Sequence, residues 1–261
     1  MDILILKKID THVRYFIRLS YRGANYHGWQ SQPNAITVQQ AIEQALSTVL
    51  RVPIAITGAG RTDTGVNAAM MIAHFDYHEM LPTAYMQRIT RSLNGLLGRD
   101  IAIQAIFPVH DDAHARFDAT SRTYKYFTHG EKSPFLYPLS WQYPPQTDFD
   151  LMNEAAATLP HYTDFTSFSK LHTDVKTNNC AITAASWQRE GEQMVFTITA
   201  DRFLRNMVRA IVGTLVEVGM KRLSVADFAR VIECKDRCAA GTSMPAHPLF
   251  LWHITYPYPI E

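Results

Sequence analysis

GAGRTDTGVNA, residues 58–68, places one carboxylate, Asp63, between threonines and glycines. Three roles fit such a residue when it is taken alone. The letters Asp-Thr-Gly occur in aspartic proteases, another kind of aspartate chemistry needs the same carboxylate, and an aspartate also caps a tight turn of the kind that Gly60 and Gly65 allow. The rest of the chain has to separate these roles.

An aspartic protease shares one proton between two aspartates, so it needs a second Asp-Thr-Gly or a symmetric dimer. A hydrophobic strand should also run into the motif. Here one Asp-Thr-Gly occurs, and Ala59, Gly60 and Arg61 stand before it instead. The sequence argues against a protease and leaves the turn and other aspartate chemistry open.

Composition is that of a folded globular protein: of 261 residues, 47% are hydrophobic and 19% charged. Apolar runs stay far below the roughly 20 residues that span a bilayer, and the first residues hold only a short one, which predicts a cytoplasmic protein that does not act at a membrane. The net charge of +1 gives no overall field toward nucleic acid, so such a partner requires local basic patches.

Metal binding has weak candidates. Cys234 and Cys238 are four residues apart in a segment that reads as helix, but no second pair of ligands accompanies them, so two buried thiols are the favoured interpretation. His110 and His114 have the same spacing in a segment that reads as the end of a strand and a loop. We therefore predict no metal site, and three cysteines do not make a disulfide framework.

Strict alternation over residues 13–21, VRYFIRLSY, predicts a strand. One face is apolar, and the other carries Arg14, Arg18 and one aromatic residue, Phe16. Further strands are predicted at 54–57, 69–75, 101–109, 122–128, 181–187, 194–199 and 250–256.

Helices are predicted from Thr37, where Gln40 completes a capping box, and at 83–97, 149–159, 203–218 and 225–234. Strands often follow strands directly, which favours an α+β fold with a largely antiparallel sheet. The Pro-rich stretch 133–146, SPFLYPLSWQYPPQ, divides the chain. We predict two related lobes, 1–132 and 148–261, joined by 133–147 and sharing one sheet.

The longer stretch AGRTDTGVNA, residues 59–68, closely resembles the signature loop of the tRNA pseudouridine synthase A family. Four more blocks resemble those of the family in the same order: YRGANYHGWQSQ at 21–32, HARFDATSRTYKY at 114–126, DFTSFS at 164–169 and FLRNMVRAIVG at 203–213. The resemblance covers about residues 13–256. The chain is identified as a member of this family.

The resemblance implies the pseudouridine synthase fold, with a mainly antiparallel mixed sheet flanked by helices and loops. It implies isomerisation of uridine to pseudouridine in tRNA, at positions 38, 39 and 40 of the anticodon stem-loop, without metal or cofactor. It also implies a homodimer, with tRNA as the partner.

Site residues follow from the same resemblance. Asp63 takes the catalytic position, and Arg209 is the cation that keeps it ionised, since a carboxylate in a pocket emptied of water needs one. Tyr124 and Leu249 form the two walls against the target base, and Tyr124 can also assist proton transfer. Arg61 engages the tRNA and fills the space that the flipped base leaves.

Helical spacing independently places Arg205 one turn from Arg209, on one side of an otherwise apolar segment. His114, Arg116 and Arg205 are predicted to bind substrate. The weaker candidates for contacts to the tRNA backbone share only a positive charge: Arg14, Arg18, Arg22, Arg122, Lys125 and Arg202.

Three positions depart from the family's usual pattern. Asn67 replaces a histidine of the signature, Arg22 stands where an acidic residue is common, and Pro248 replaces glycine before Leu249. Pro248 fixes a backbone angle and removes a donor, so it bears on where Leu249 lies.

Two other functions compete. An RNA-binding protein without catalysis should have lost Asp63, Tyr124 or Arg209, and all three are present. An aspartate-dependent hydrolase of another class should ignore tRNA.

Overall fold

The computed structural model describes residues 12–170 and 177–260. Its strands, numbered along the chain, are β1 Val13–Tyr21, β2 Thr57–Gly58, β3 Asn67–Tyr77, β4 Ile101–Pro108, β5 Ser121–His129, β6 Trp141–Gln142, β7 Ile182–Glu190, β8 Gln193–Ala200 and β9 Leu249–Thr255. Its α-helices are α1 Val38–Leu50, α2 Thr83–Leu96, α3 Phe149–Ala156, α4 Met207–Gly219 and α5 Val225–Glu233.

All nine strands join one sheet, in the order β4-β1-β3-β9-β5-β8-β7, with β2 added beside β3 and β6 beside β5. Only β3 with β9 and β5 with β6 run parallel; the other described pairs are antiparallel. The predicted α+β class with a mainly antiparallel mixed sheet is confirmed.

The pairing of β3 with β9 is short. It consists of two residue pairs, Asn67 with Phe250 and Ala68 with Leu251. Two hydrophobic clusters lie on either side of this pairing, one around β1, β3, α1 and α2 and one around β8, α3, α4 and α5. Strand β9 contributes to both, through Leu251 and Leu249. The division at 133–147 stays a prediction.

Most predicted strands and helices appear within a few residues of their expected bounds, but 54–57 does not form a full strand. Its backbone bonds to helix α1 instead, since Ile54 N–H donates to Ser47 Oγ at 2.9 Å and Ile56 N–H donates to Glu43 Oε1 at 3.0 Å. Pairing with β3 is left to β2 alone.

The face of β1 that carries Arg14, Phe16 and Arg18 is partly covered by other parts of the chain. Phe16 is fully buried, and its ring meets Tyr256 edge to face with the centroids 5.5 Å apart. The segment after β9 covers this face, which periodicity along β1 alone does not reveal.

Helix starts follow their caps. Thr37 Oγ1 accepts from Gln40 N–H at 3.3 Å, which is one half of the capping box predicted there, whereas Ser224 with Asp227 forms a complete capping box. Among the helices of 12–170 and 177–260, none is long and apolar enough to cross a membrane.

Candidate active site

The loop between β2 and β3 carries Asp63 on a tight turn. Gly65 has φ +79°, a conformation that favours glycine, and Val66 N–H donates to the Asp63 carbonyl at 3.1 Å. Thr62 is buried, with its hydroxyl 2.8 Å from that of Tyr21. The turn therefore holds the backbone of Asp63 and leaves its carboxylate available for other partners.

The block 21–32 supports this loop from the other side. Trp29 N–H donates to the Thr62 carbonyl at 3.2 Å. Gly28 has φ +84°, and a Cβ at this position would lie 2.5 Å from the same carbonyl oxygen. Only glycine at position 28 allows the block 21–32 to approach the Asp63 loop so closely. Gly28 and Trp29 therefore hold this loop in place.

Two arginines face the carboxylate of Asp63. Arg205 Nε lies 3.4 Å from Oδ1, and Arg209 Nη1 lies 3.8 Å from Oδ2. The side chains of Asp63 and Arg209 are 24% and 21% exposed, whereas that of Arg205 is 61% exposed. Arg209 Nε also donates to the Met244 carbonyl at 2.5 Å, so this guanidinium is held in place before any ligand binds.

The predicted helix 203–218 begins later than expected, and Arg205 is not on it. Helix α4 starts at Met207 because Asn206 has φ +67°, a left-handed conformation that an α-helix cannot continue through. Asn206 Nδ2 donates to Ser243 Oγ at 2.5 Å, a contact that stabilises this conformation. Arg205 reaches Asp63 from the preceding loop, so one charge of the pair is fixed by a helix and the other by a loop.

A cavity of about 500 Å³ opens above Asp63. The predicted residues that line it are Asp63, Tyr124, Arg209, Arg61, Leu249, Arg116 and Arg205. Leu249 is buried at the start of β9, and Tyr124 lies in the middle of β5. Arg61 and Arg116 are exposed, as expected of side chains at a mouth.

Phe203 is a wall of the cavity that the sequence reasoning did not identify. Its ring meets that of Tyr124 edge to face, with the centroids 5.1 Å apart and the planes at 85°. The available signal was an aromatic residue at the start of the block FLRNMVRAIVG, which the sequence analysis placed in a predicted helix without giving Phe203 a role.

The phenol of Tyr124 keeps its proton near neutral pH. Burial raises the pKa of Tyr124, and the nearby carboxylate of Asp63 raises it further, because a second negative charge there is unfavourable. A Tyr124 that takes part in proton transfer does so as the neutral phenol.

His114 is not among the described residues that line the cavity. Its Nδ1 accepts from the backbone N–H groups of Arg116 and Phe117 at 3.1 and 3.2 Å, and burial, together with Arg14, lowers its pKa. The ring is thus a neutral acceptor that shapes the loop from which Arg116 reaches the cavity.

Arg122 joins three segments around the cavity. Its Nη1 donates to the carbonyls of Ala119 and Asp201 at 2.7 and 2.8 Å, and its Nη2 donates to those of Arg116 and Ala59 at 2.6 and 3.1 Å. With these four carbonyls bound, Arg122 holds the site together rather than offering a free cation to RNA.

Three other basic candidates are paired with acidic side chains. Arg14 binds Asp76 through two bonds of 2.7 and 2.8 Å, Lys125 lies 2.6 Å from Glu190, and Arg22 lies 3.9 Å from Asp100. Among the described residues that line the cavity, the cations at its rim are Arg61, Arg116, Arg202 and Arg205, so fewer basic side chains surround the cavity than the sequence suggested.

Asn67, one of the departures, ties β3 to the segment that carries Leu249. Its Oδ1 accepts from Gly23 N–H at 2.9 Å, and its Nδ2 donates to the His247 carbonyl at 2.7 Å and to the Leu249 carbonyl at 3.4 Å. Pro248 leaves Leu249 anchored, since Leu249 N–H donates to the Ala246 carbonyl at 3.0 Å.

The cysteine prediction is wrong in its details. Helix α5 ends at Glu233, Cys238 lies in a one-turn 3-10 helix, and both Cys234 and Cys238 are exposed. Within the described part of the chain, no group of three His, Cys, Asp or Glu side chains is arranged to hold a metal ion.

The sequence profile of a family described as tRNA pseudouridine synthase matches residues 19–118 and 155–257. A tRNA pseudouridine synthase A from Parabacteroides distasonis is 59% identical over 251 residues, which are 95% of this chain and 99% of that protein. The proteins of the same name from Porphyromonas gingivalis and Chlorobaculum tepidum are 56% and 39% identical, over 94% and 92% of this chain and 97% and 96% of theirs. Similarity of this extent, along nearly the whole of both chains, shows that this protein belongs to the tRNA pseudouridine synthase family.

Proposed function

We propose that this protein isomerises uridine to pseudouridine in tRNA and that Asp63 is its catalytic group. The observation that carries the proposal is the carboxylate of Asp63, which faces two arginines in a cavity with aromatic and aliphatic walls. Membership of the family and the proteins of the same name support the choice of reaction.

The reaction breaks the bond from N1 of the base to C1' of the ribose and forms a bond from C5 to C1'. N1 gains a proton and C5 loses one, so no atom enters or leaves overall. Asp63 either adds to the base or abstracts a sugar proton, and both steps need an ionised carboxylate. Arg205 and Arg209 place two positive charges within 4 Å of the Asp63 carboxylate oxygens.

The walls of the cavity fit a base taken out of its stack. Tyr124 offers the face of an aromatic ring, Leu249 offers an aliphatic surface, and Phe203 packs edge to face against Tyr124. Arg61 is exposed at the mouth, where its planar guanidinium can contact a phosphate or take the place of the extruded base.

The finer parts of the proposal rest on the resemblance of the sequence blocks. They are a target in the anticodon stem-loop at positions 38, 39 and 40, a homodimer and a cytoplasmic location. The net charge of +1 is compatible with tRNA binding because Arg61, Arg116, Arg202 and Arg205 lie together at one cavity mouth. A homodimer would present this rim twice on one assembly without changing the charge balance of each chain.

The test uses unmodified tRNA transcripts with uridines at positions 38, 39 and 40. Pseudouridine is located by nucleoside chromatography and by site mapping, and tRNA affinity is measured in parallel for wild type and for Asp63→Asn. We expect pseudouridine at these positions with wild type and none with Asp63→Asn, while both bind tRNA. Binding without product by wild type would support the RNA-binding alternative, and no binding to tRNA would contradict the proposal altogether.

A further inference from the structure

Phe117 is a large apolar side chain that is 75% exposed, next in the chain to Arg116, which lines the cavity. Single exposed apolar residues are common and by themselves need no explanation. The loop 114–118 that presents Phe117, however, is bound through its backbone at almost every residue.

The first set of bonds closes the loop on itself. His114 Nδ1 accepts from the backbone N–H groups of Arg116 and Phe117. Asp118 N–H donates to the His114 carbonyl at 3.1 Å, and His114 N–H donates to Asp118 Oδ2 at 2.7 Å. These four bonds fix the direction in which the ring of Phe117 leaves the backbone.

A second set anchors the loop to the core. Ala115 N–H donates to His74 Nδ1 at 3.2 Å, the Tyr256 hydroxyl donates to the Ala115 carbonyl at 2.5 Å, and Arg122 donates to the Arg116 carbonyl at 2.6 Å. The loop is therefore ordered before any ligand arrives, which lowers the conformational entropy that binding would otherwise lose.

One side of the Phe117 ring is already occupied. It stacks on the imidazole of His114 with the centroids 4.1 Å apart and the planes at 29°, and the guanidinium of Arg116 lies 5.8 Å from the ring centroid. Most of the ring surface remains exposed. The arrangement is a supported aromatic surface with a cation at its edge.

We propose that Phe117 is a stacking platform for an unpaired RNA base next to the target nucleotide, with Arg116 beside the phosphate of that nucleotide. The inference rests on the proposed function, since it takes RNA as the ligand. RNA is a better ligand for this ring than a protein surface because three cations, Arg61, Arg116 and Arg202, line the adjacent cavity mouth and attract phosphate groups. A nucleotide supplies both the flat π-face and the anion that this pair of side chains suits.

The test compares the affinity of an anticodon stem-loop RNA for wild type and for variants at this position. Phe117→Ala and Phe117→Leu remove the aromatic face, and Phe117→Trp keeps it. Phe135→Ala is the matched control because it removes a ring that is 93% exposed and does not line the cavity. We expect the alanine and leucine variants to bind about 5- to 150-fold more weakly. Phe117→Trp and Phe135→Ala should bind as wild type does.

A second set of RNAs identifies the stacked base. Each nucleotide flanking the target is replaced in turn by an abasic residue, and the ratio of affinities between wild type and Phe117→Ala is measured for each RNA. At one position the ratio should fall to about one, because the base that stacks on Phe117 is missing there. Thermal melting of the variants should match that of wild type, since the ring is exposed.

Equal affinities of wild type and Phe117→Ala would overturn the proposal, as would an equal loss in Phe135→Ala or a ratio that no abasic position changes. Pseudouridine formation is assayed on the same samples. If wild type forms none but the affinity pattern holds, the proposed function fails and the platform stands; if product forms without the pattern, only the platform fails.

Discussion

Asn67→Asp exchanges one NH₂ group for an oxygen at the junction between β3 and the segment before β9. Asn67 is 2% exposed, and its amide makes one bond as acceptor and two as donor. An aspartate keeps the acceptor for Gly23 but turns an oxygen toward the carbonyls of His247 and Leu249. The shape of the side chain hardly changes, so the effect reports on charge and hydrogen bonding.

The size of the effect follows from protonation. If the new carboxyl is protonated, its O–H can donate to the His247 carbonyl, but holding that proton at pH 7.5 costs up to about 5 kcal/mol relative to an unfolded pKa of about 3.9. If the carboxyl is ionised instead, it faces a carbonyl oxygen where Asn67 Nδ2 now lies 2.7 Å away. Either way we expect the free energy of unfolding to fall by about 3–5 kcal/mol at pH 7.5.

The pH dependence has a definite sign. The folded variant favours the protonated form of the new carboxyl, so the pKa of this carboxyl is higher in the folded state than in the unfolded state. At pH values between these two pKa values, the folded state binds more protons than the unfolded state. The stability loss is therefore small below about pH 4 and grows with pH by up to about 1.4 kcal/mol per unit. At pH 5 the protonation cost should be under about 2 kcal/mol.

Denaturant titrations of wild type, Asn67→Asp and Asn67→Ala between pH 5 and 7.5 measure these differences. Asn67→Ala loses the same bonds but adds no titrating group, so its loss, about 1–3 kcal/mol, should not change with pH. A loss below about 1 kcal/mol in Asn67→Asp, or a pH dependence no steeper than that of Asn67→Ala, would refute the argument.

Three further outcomes follow from the site and its surroundings. Arg209→Met should lower kcat for tRNA by about 100-fold or more, and Arg205→Met by no more than about tenfold. The reason is that the Arg205–Asp63 pair is the more exposed of the two and is better screened by solvent. Single-turnover assays with the reverse ranking would contradict this. Tyr124→Phe should leave the shape of the pH–rate profile between about pH 6 and 9 unchanged, because burial raises the pKa of Tyr124 and the wild-type phenol does not titrate in this range. A fall in rate at high pH that is present in the wild type and absent in the variant would contradict this. Burial lowers the pKa of His74 to about 4, so the free energy of unfolding of the wild type should fall by up to about 3 kcal/mol as the pH falls from about 6.5 to 4. In denaturant titrations over the same pH range, His74→Gln should lose less. Equal losses would show that His74 is not responsible.

Much of the fold could be read from the sequence because local patterns dictate it. The alternation of 13–21 gave β1 with its observed bounds, and the Thr37 cap gave the start of α1. Prediction failed where distant contacts decide the local conformation. The left-handed Asn206, which bonds to Ser243, moves the start of α4 and takes Arg205 off the helix.

The candidate site divides in a similar way. The signature loop pointed to Asp63, and the structure brings it beside both arginines and Tyr124. The supporting roles of Asn67 and Arg122 were missed because both side chains bind backbone carbonyls of segments far away in the chain. Asn67 bonds to the carbonyl of residue 247, and Arg122 joins those of 59 and 201. A buried asparagine or arginine cannot be told from an exposed one by residue type, so the sequence pattern alone does not distinguish these structural roles from surface positions.

Strand β9 lies at the centre of the sheet although it follows the other eight described strands in the sequence. While the polypeptide emerges from the ribosome, β3 and β5 must wait for this partner with their hydrogen-bonding edges open. A chain interrupted before residue 249 lacks the Leu249 wall and keeps both edges exposed. We expect such an interrupted product to be bound by chaperones or degraded by proteases rather than to be a weakly active enzyme. Because the central strand is the last one synthesised, the sheet can close only in a chain that includes β9.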